Sequence, residues 1–114
     1  MNIGFIGAGN VAQLHLQNLS KMKGVKISAI CDIAPERAAK VAALYDANHY
    51  KDYQQMLKAE QLDACYVCVI PGAHGNIEIE IAEAKIPLYV ETPSHLNLTT
   101  CQKVIDTLEK NNTI

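Results

Sequence analysis

The chain lacks a surplus of charge of either sign. Ten Lys and Arg stand against twelve Asp and Glu, for a net charge of −2 at pH 7, and the two signs are interspersed. That excludes the electrostatic footprint of a nucleic-acid or anionic-membrane binder. Also missing is any apolar stretch near the roughly 20 residues that a membrane span needs. The first residues run straight into a strand pattern, without the charged and apolar regions of a signal peptide, so a cytoplasmic location is expected. At 114 residues the chain is expected to form one domain over residues 1–114, large enough for a real core and too small for two. The four cysteines, Cys31, Cys65, Cys68 and Cys101, also fail to make a metal or redox motif. Cys65 and Cys68 form a C-x-x-C inside Ala64-Cys65-Tyr66-Val67-Cys68-Val69-Ile70, which reads as a buried strand. Residues three apart on a strand point to opposite faces, so these thiols can neither share a metal nor close an ordinary disulfide. All four are read as reduced core residues, and no metal site is expected.

What the chain does have is concentrated at its start. Ile3-Gly4-Phe5-Ile6 leads into Gly7-Ala8-Gly9-Asn10-Val11-Ala12 and then an amphipathic helix pattern, the G-x-G-x-x-A form of a dinucleotide-binding turn. Gly7 permits the tight strand-to-helix turn, Gly9 removes a Cβ that would block a pyrophosphate, and Ala12 lets helix and strand approach closely. The free N–H groups of the helix N-terminus face the phosphates, which makes Gly7, Gly9, Asn10, Val11 and Ala12 the candidate contacts. Such turns also serve packing alone, so context decides. Asp32 supplies it, standing with Ile33 at the end of the next strand, about 20 residues on, where a carboxylate accepts the ribose hydroxyl hydrogens. The bland alternative for Asp32 is a loop carboxylate or a cap for the helix beginning at Pro35. Because the carboxylate repels a 2′-phosphate and no Arg or Lys follows until Arg37, NAD is expected over NADP.

Apolar runs alternate with helical patterns along the rest of the chain. Strands are expected at Asn2 to Ile6, Val25 to Cys31, Asp63 to Ile70 and Ile86 to Glu91, with a short one near His49 and Tyr50. Helices are expected from Asn10 to about Met22, and from Pro35 with Ala38, Val41, Ala42 and Tyr45 on one face. A short helix follows Asp52, and a last one begins at a capping box, Thr99-x-x-Gln102. Ile77-Glu78-Ile79-Glu80-Ile81 alternates like a strand, yet parallel flanking strands need a crossover, so it reads as a helix with its Glu residues outward. The fold class expected is α/β, a three-layer Rossmann-type domain with a mostly parallel sheet and helices on both faces.

Cys68-Val69-Ile70-Pro71-Gly72-Ala73-His74-Gly75, followed some sixteen residues later by Tyr89-Val90-Glu91-Thr92-Pro93, resembles the amino-terminal domain of the Gfo/Idh/MocA oxidoreductases. The resemblance covers essentially the whole chain. It implies that Ile70 and Pro71 line the cofactor cleft, that His74 is the histidine starting the following helix, and that Glu91 lies near the nicotinamide riboside. It also implies a cis bond before Pro93. Local alternatives remain for each: a strand-ending proline, a helix-capping histidine, a solvated carboxylate. His15, on the first helix, reads as packing or surface.

The chain departs from the family pattern at Thr92, which stands where the family's Glu-Lys-Pro has its lysine. Losing a positioned acid/base group forfeits about 10² to 10⁴ in rate. The family's second, substrate-binding domain is also absent, so the chain reads as an amino-terminal fragment ending where a sixth strand would start. The function expected is the NAD(P)-binding part of an oxidoreductase passing hydride between a nicotinamide and a sugar or cyclitol. The alternatives are a dinucleotide-binding module without turnover, and a CoA or nucleotide sensor on the same fold. Expected partners are a dinucleotide, a small polar substrate and further copies of the chain through an unpaired sheet edge.

Overall fold

Period-two and all-apolar runs become strands that alternate with helices, and the parallel pairing follows from the crossovers between them. A computed structural model describes residues 1–114, with strands β1 (Asn2–Ile6), β2 (Lys26–Cys31), β3 (Asn48–Tyr50), β4 (Ala64–Val67) and β5 (Leu88–Val90). Helices are α1 (Asn10–Leu19), α2 (Pro35–Ala43), α3 (Tyr53–Ala59), α4 (Asn76–Glu83) and α5 (Leu98–Asn111). The five strands form one sheet in the order β3-β2-β1-β4-β5, parallel at every pairing. This is the Rossmann arrangement expected from the sequence, with β1 central and the strand order reversing beside it.

Alternation along the central strands divides the core in two. Ile3, Phe5, Ile27 and Ile30 pack with Ala12 and Leu16 of α1 and Val41 and Ala42 of α2 on one face. On the other face Ile6, Ala29, Cys31, Cys65 and Val67 pack with Met56 of α3 and Ile77 and Ile81 of α4. Cys65 and Cys68 accordingly belong to opposite faces, as strand geometry requires. Helix α5 lies against α4 rather than against the sheet.

Several boundaries differ from the sequence reading. The first helix stops at Leu19, with Ser20 as its cap, instead of Met22. Tyr45 lies beyond the end of α2 but still packs on the core. The third long strand ends at Val67, not Ile70, and Pro71–Ala73 form a 3₁₀ turn, since Pro71 has no N–H for a ladder. Pro35 sits in the first turn of α2, and Asp52 caps α3 by accepting the Gln54 N–H at 2.8 Å. The expected capping box at Thr99 and Gln102 does not form. Asn97 caps α5 instead, accepting the Thr100 N–H at 2.8 Å, while Gln102 donates to Asp106 one turn on. The Ile77–Ile81 run is helical, but Glu78 is completely buried rather than outward.

Candidate functional site

The carboxyl ends of β1, β2, β4 and β5 open on one edge, where an α/β sheet places its ligands. Gly7 turns the chain from β1 to α1 with φ +93°, and its N–H donates to the Cys31 carbonyl at 2.8 Å. A Cβ at Gly7 would collide with the Cys68 carbonyl just past β4, so the glycine is demanded twice, by conformation and by the neighbouring backbone. Gly9 is the N-cap of α1, and a Cβ there would meet nothing within 4 Å. The space over this position is open. Helix α1 carries no acidic residue in its first turn, so its N-terminal dipole is not neutralised from within. Ala12 is wholly buried and seats the helix on the sheet, while Asn10 and Val11 are exposed beside the turn.

Asp32 ends β2 with a buried carboxylate. Its Oδ2 accepts the Ala8 N–H at 2.9 Å and its Oδ1 accepts the Ala34 N–H at 2.9 Å. The residue therefore ties the glycine turn to the start of α2, and both the cap and the cofactor-edge readings fit it. Ile33, 86% exposed, stands directly beyond it. Arg37 does not stay remote: its Nε lies 3.5 Å from Asp32 Oδ2, because one turn of α2 carries residue 37 back over the strand end. A cation thus stands beside the carboxylate, which weakens the opposition of Asp32 to a 2′-phosphate.

Beyond β4, Ile70 is 75% exposed and Pro71 partly so, both at the open edge. His74 turns inward instead. Its Nδ1 donates to Glu78 Oε1 at 2.5 Å, and Glu78 Oε2 accepts the Gly75 N–H at 2.5 Å. Glu78 is at the third position of α4, close enough to reach back to the backbone ahead of the helix, which is why it is buried. The His95 ring lies tilted against that of His74, with centroids 5.9 Å apart, and the His74 Nε2 and both His95 ring nitrogens are buried without a protein partner.

Glu91, at the end of β5, faces α1. His15 Nε2 donates to its Oε2 at 2.8 Å and the Thr92 N–H to its Oε1 at 3.0 Å. The His15 hydrogen bond is the main reason that the Glu91 carboxyl titrates below its ordinary value. His15 is therefore more than packing. Its ring sits edge-on to Tyr89, centroids 5.2 Å apart, and tilted on Tyr66 at 5.6 Å. Phe5, Tyr66 and Tyr89 are register partners on three adjacent strands, and their stacked rings, 4.9 and 4.7 Å apart, form the wall against which His15 rests. The Thr92–Pro93 bond is cis, as the family resemblance implies.

Sequence reasoning missed His15 and His95 because each finds its partners through tertiary packing, whereas Glu78 had a local signal, standing three residues after Gly75 and four after His74. For Arg37 a local signal existed, since it lies in the first turn of a helix starting at Pro35. Burial pushes the thiol of Cys31 up to about 12 and that of Cys68 up to about 11, so both are protonated at neutral pH. A depression of about 430 Å³ lined by Val25, Ile27, Leu44 and Tyr45 lies at the opposite, amino-terminal end of the strands, away from these groups.

The model of an oxidoreductase family with an NAD-binding Rossmann fold, Gfo/Idh/MocA, matches residues 1–114. A myo-inositol 2-dehydrogenase of Thermotoga maritima is 29% identical over 111 residues, covering 96% of this chain and 33% of the relative. The WlbA dehydrogenase of Bordetella pertussis, solved with NADH and UDP-GlcNAcA, superposes with a TM-score of 0.93 at 20% identity, covering 99% of this chain and 33% of that one. The 3-ketoreductase KijD10 of Actinomadura kijaniata, solved with NADP and TDP-benzene, gives 0.91 at 17% identity, covering 100% and 35%. The chain thus spans about a third of the length of the relatives it matches. The glycine turn, the acidic end of β2 and the Glu-x-Pro end of β5 fall inside one match spanning all 114 residues, and on that basis the chain belongs to the Gfo/Idh/MocA oxidoreductases, as their NAD-binding Rossmann domain.

Proposed function

We propose that this domain binds NAD along the carboxyl edge of the sheet, for a protein that passes hydride between the nicotinamide and a sugar or cyclitol. The observation that carries the reading is Asp32, buried at the end of β2 and fixed to the glycine turn by the Ala8 N–H. The open space over Gly9 fits a pyrophosphate, which the N–H groups of α1 would hold. Asp32 keeps lone pairs for ribose hydroxyls after accepting two backbone N–H groups. Exposed Ile33 and Ile70 would flank the adenosine, with Pro71 extending that wall, and Glu91 and Thr92 would border the nicotinamide half. The bound nicotinamide supplies hydride chemistry. This chain contributes binding and orientation.

Relatives of similar fold support both NADH and NADP as ligands of such a domain. Preference for NAD is part of our proposal, with the Asp32 carboxylate opposing a 2′-phosphate and Arg37 offsetting that opposition. The proposed substrate class follows the inositol dehydrogenase and nucleotide-sugar relatives. A cytoplasmic location belongs to the same reading; no helix is long and apolar enough to cross a membrane.

A second reading is favoured by Thr92. Threonine donates a hydrogen bond but brings no cation to a developing alkoxide, which suits a dinucleotide-binding module without turnover. Calorimetric titration with NAD and NADP tests the first claim. NAD should bind more tightly, Asp32→Ala should narrow the difference, and Arg37→Ala should widen it; equal affinity in the wild type refutes the preference. Assays with a panel of sugars and cyclitols test the second, and the 114-residue chain alone should give no steady-state NAD reduction.

A further inference from the structure

His15 projects from the middle of α1, less than two turns from the glycine turn that starts the same helix, and reaches the end of β5. Its Nε2–H donates to Glu91 Oε2 at 2.8 Å, while the other carboxylate oxygen accepts the Thr92 N–H at 3.0 Å. Both oxygens of Glu91 are thereby engaged inside the protein. Each oxygen keeps a further lone pair, so the two bonds fix the direction of the carboxylate without saturating it. Its side chain is about a quarter exposed, as is that of His15, so the pair sits at the boundary of the site rather than in the core.

The β4–β5 pairing holds the Glu91 backbone, whose N–H donates to the Val67 carbonyl at 2.9 Å, but leaves the direction of its side chain open. From Thr92 to Leu96 no backbone group bonds to another backbone group. The one side-chain hydrogen bond to this segment is that of Glu91 to the Thr92 N–H. His15 in turn has little freedom, since Tyr66 and Tyr89 confine its ring from two sides. We infer that His15 is a positioning residue. It fixes the Glu91 carboxylate, and through it the Thr92 amide, relative to the helix that would carry the pyrophosphate.

The geometry is independent of any ligand, but its consequence rests on the dinucleotide reading above. If α1 holds the phosphates and Glu91-Thr92 borders the nicotinamide, a strut between them sets the distance between the two halves of the cofactor. Losing the strut should weaken a ligand that spans both halves and spare one that occupies only the adenosine half. A packing role for His15 predicts neither difference.

His15→Phe separates these roles, because it keeps a ring between Tyr66 and Tyr89 and removes the N–H donor. His15→Gln keeps a donor on a flexible chain and serves as the rescue variant. In the ligand-free protein, amide hydrogen exchange at Thr92 should accelerate about tenfold in His15→Phe and recover partly in His15→Gln, the scale of one hydrogen bond to a charged group. Calorimetry should show NADH binding weakened about tenfold in His15→Phe, with ADP unchanged. In a Glu91→Ala background His15→Phe should add nothing further, as a double-mutant cycle requires for a direct pair. Unchanged Thr92 exchange in His15→Phe, or an equal loss of NADH and ADP, overturns the inference. If His15→Phe does not fold, the Thr92 exchange of His15→Gln and Glu91→Ala decides it, and wild-type rates in both count against the strut. Failure of the wild type to bind NADH or ADP would refute the dinucleotide reading while leaving the exchange result to decide the strut.

Discussion

At the β1–β2 end of the open edge, Asp32 is held by the N–H groups of Ala8 and Ala34, one in the glycine turn and one two residues along the chain. At the β4–β5 end, Glu91 is held by His15, 76 residues away, and by the amide of its own neighbour. The first anchor is mostly backbone, so any sequence that makes the turn and starts α2 will supply it. The second depends on particular side chains, a histidine propped by two tyrosines and, nearby, His74 and His95 around a buried Glu78. Backbone anchors come with the fold, whereas side-chain anchors must be specified residue by residue. The end proposed for adenosine is therefore the more preorganised, and the end proposed for the nicotinamide the more dependent on what surrounds it.

The harshest test of that contrast is Gly7→Ala. A methyl group would be forced into the Cys68 carbonyl at a positive φ, and we expect a loss of about 3 kcal/mol or more in urea unfolding. Gly9→Ala, facing open space, should keep its stability within about 1 kcal/mol and lose dinucleotide affinity instead. If both variants lose stability equally, Gly9 is structural and the pyrophosphate reading weakens.

At the other end, Glu78→Ala would strand two buried donors, His74 Nδ1–H and the Gly75 N–H. A loss of about 2–4 kcal/mol is expected by thermal or urea unfolding, with Glu78→Gln costing less because its amide oxygen still accepts one of them. A neutral Glu78→Ala would show that this end does not rely on its side-chain network.

Smaller effects come from Glu91. Its carboxyl titrates below the ordinary value chiefly through His15, so its contribution to stability is complete above the unfolded-state carboxylate pKa and is lost as pH falls through the lowered folded-state value. His15→Phe should raise the folded-state value and so move the acid limb of the stability curve slightly toward neutral pH. An unmoved acid limb would mean that the bond is too solvent-screened to count. Last, β5 is an edge strand whose outer side receives one bond partner, the Ile114 carbonyl accepting the Leu88 N–H at 2.8 Å. Open edges recruit other chains, so the sedimentation coefficient of the 114-residue chain should rise with concentration. A constant monomer value would refute that self-association.

Much of this architecture was legible before the structure. Strand β1 and the first residues of α1, α2 and α3 follow from a glycine turn, a proline and an aspartate, each acting on the backbone within a few residues. The helical Ile77–Ile81 run was recoverable more from the topology of parallel strands than from local signal, because its local period is that of a strand. Less was legible at strand and helix ends, where a cap such as Asn97 competes with nearby alternatives of similar strength.

The sequence by itself determined the parallel α/β order, the Gly7-to-Ala12 turn and the placement of Asp32 at a strand end, since short-range sterics and hydrogen bonding suffice for these. Only the tertiary structure decided that His15 reaches Glu91 and that the His95 ring comes to 5.9 Å from that of His74. Those contacts form where the His15 side chain of α1 crosses the Tyr66 and Tyr89 rings of β4 and β5, and where the segment after β5 meets the segment after β4. Side-chain partners across such interfaces are set by register and helix orientation, which no local pattern of residues encodes.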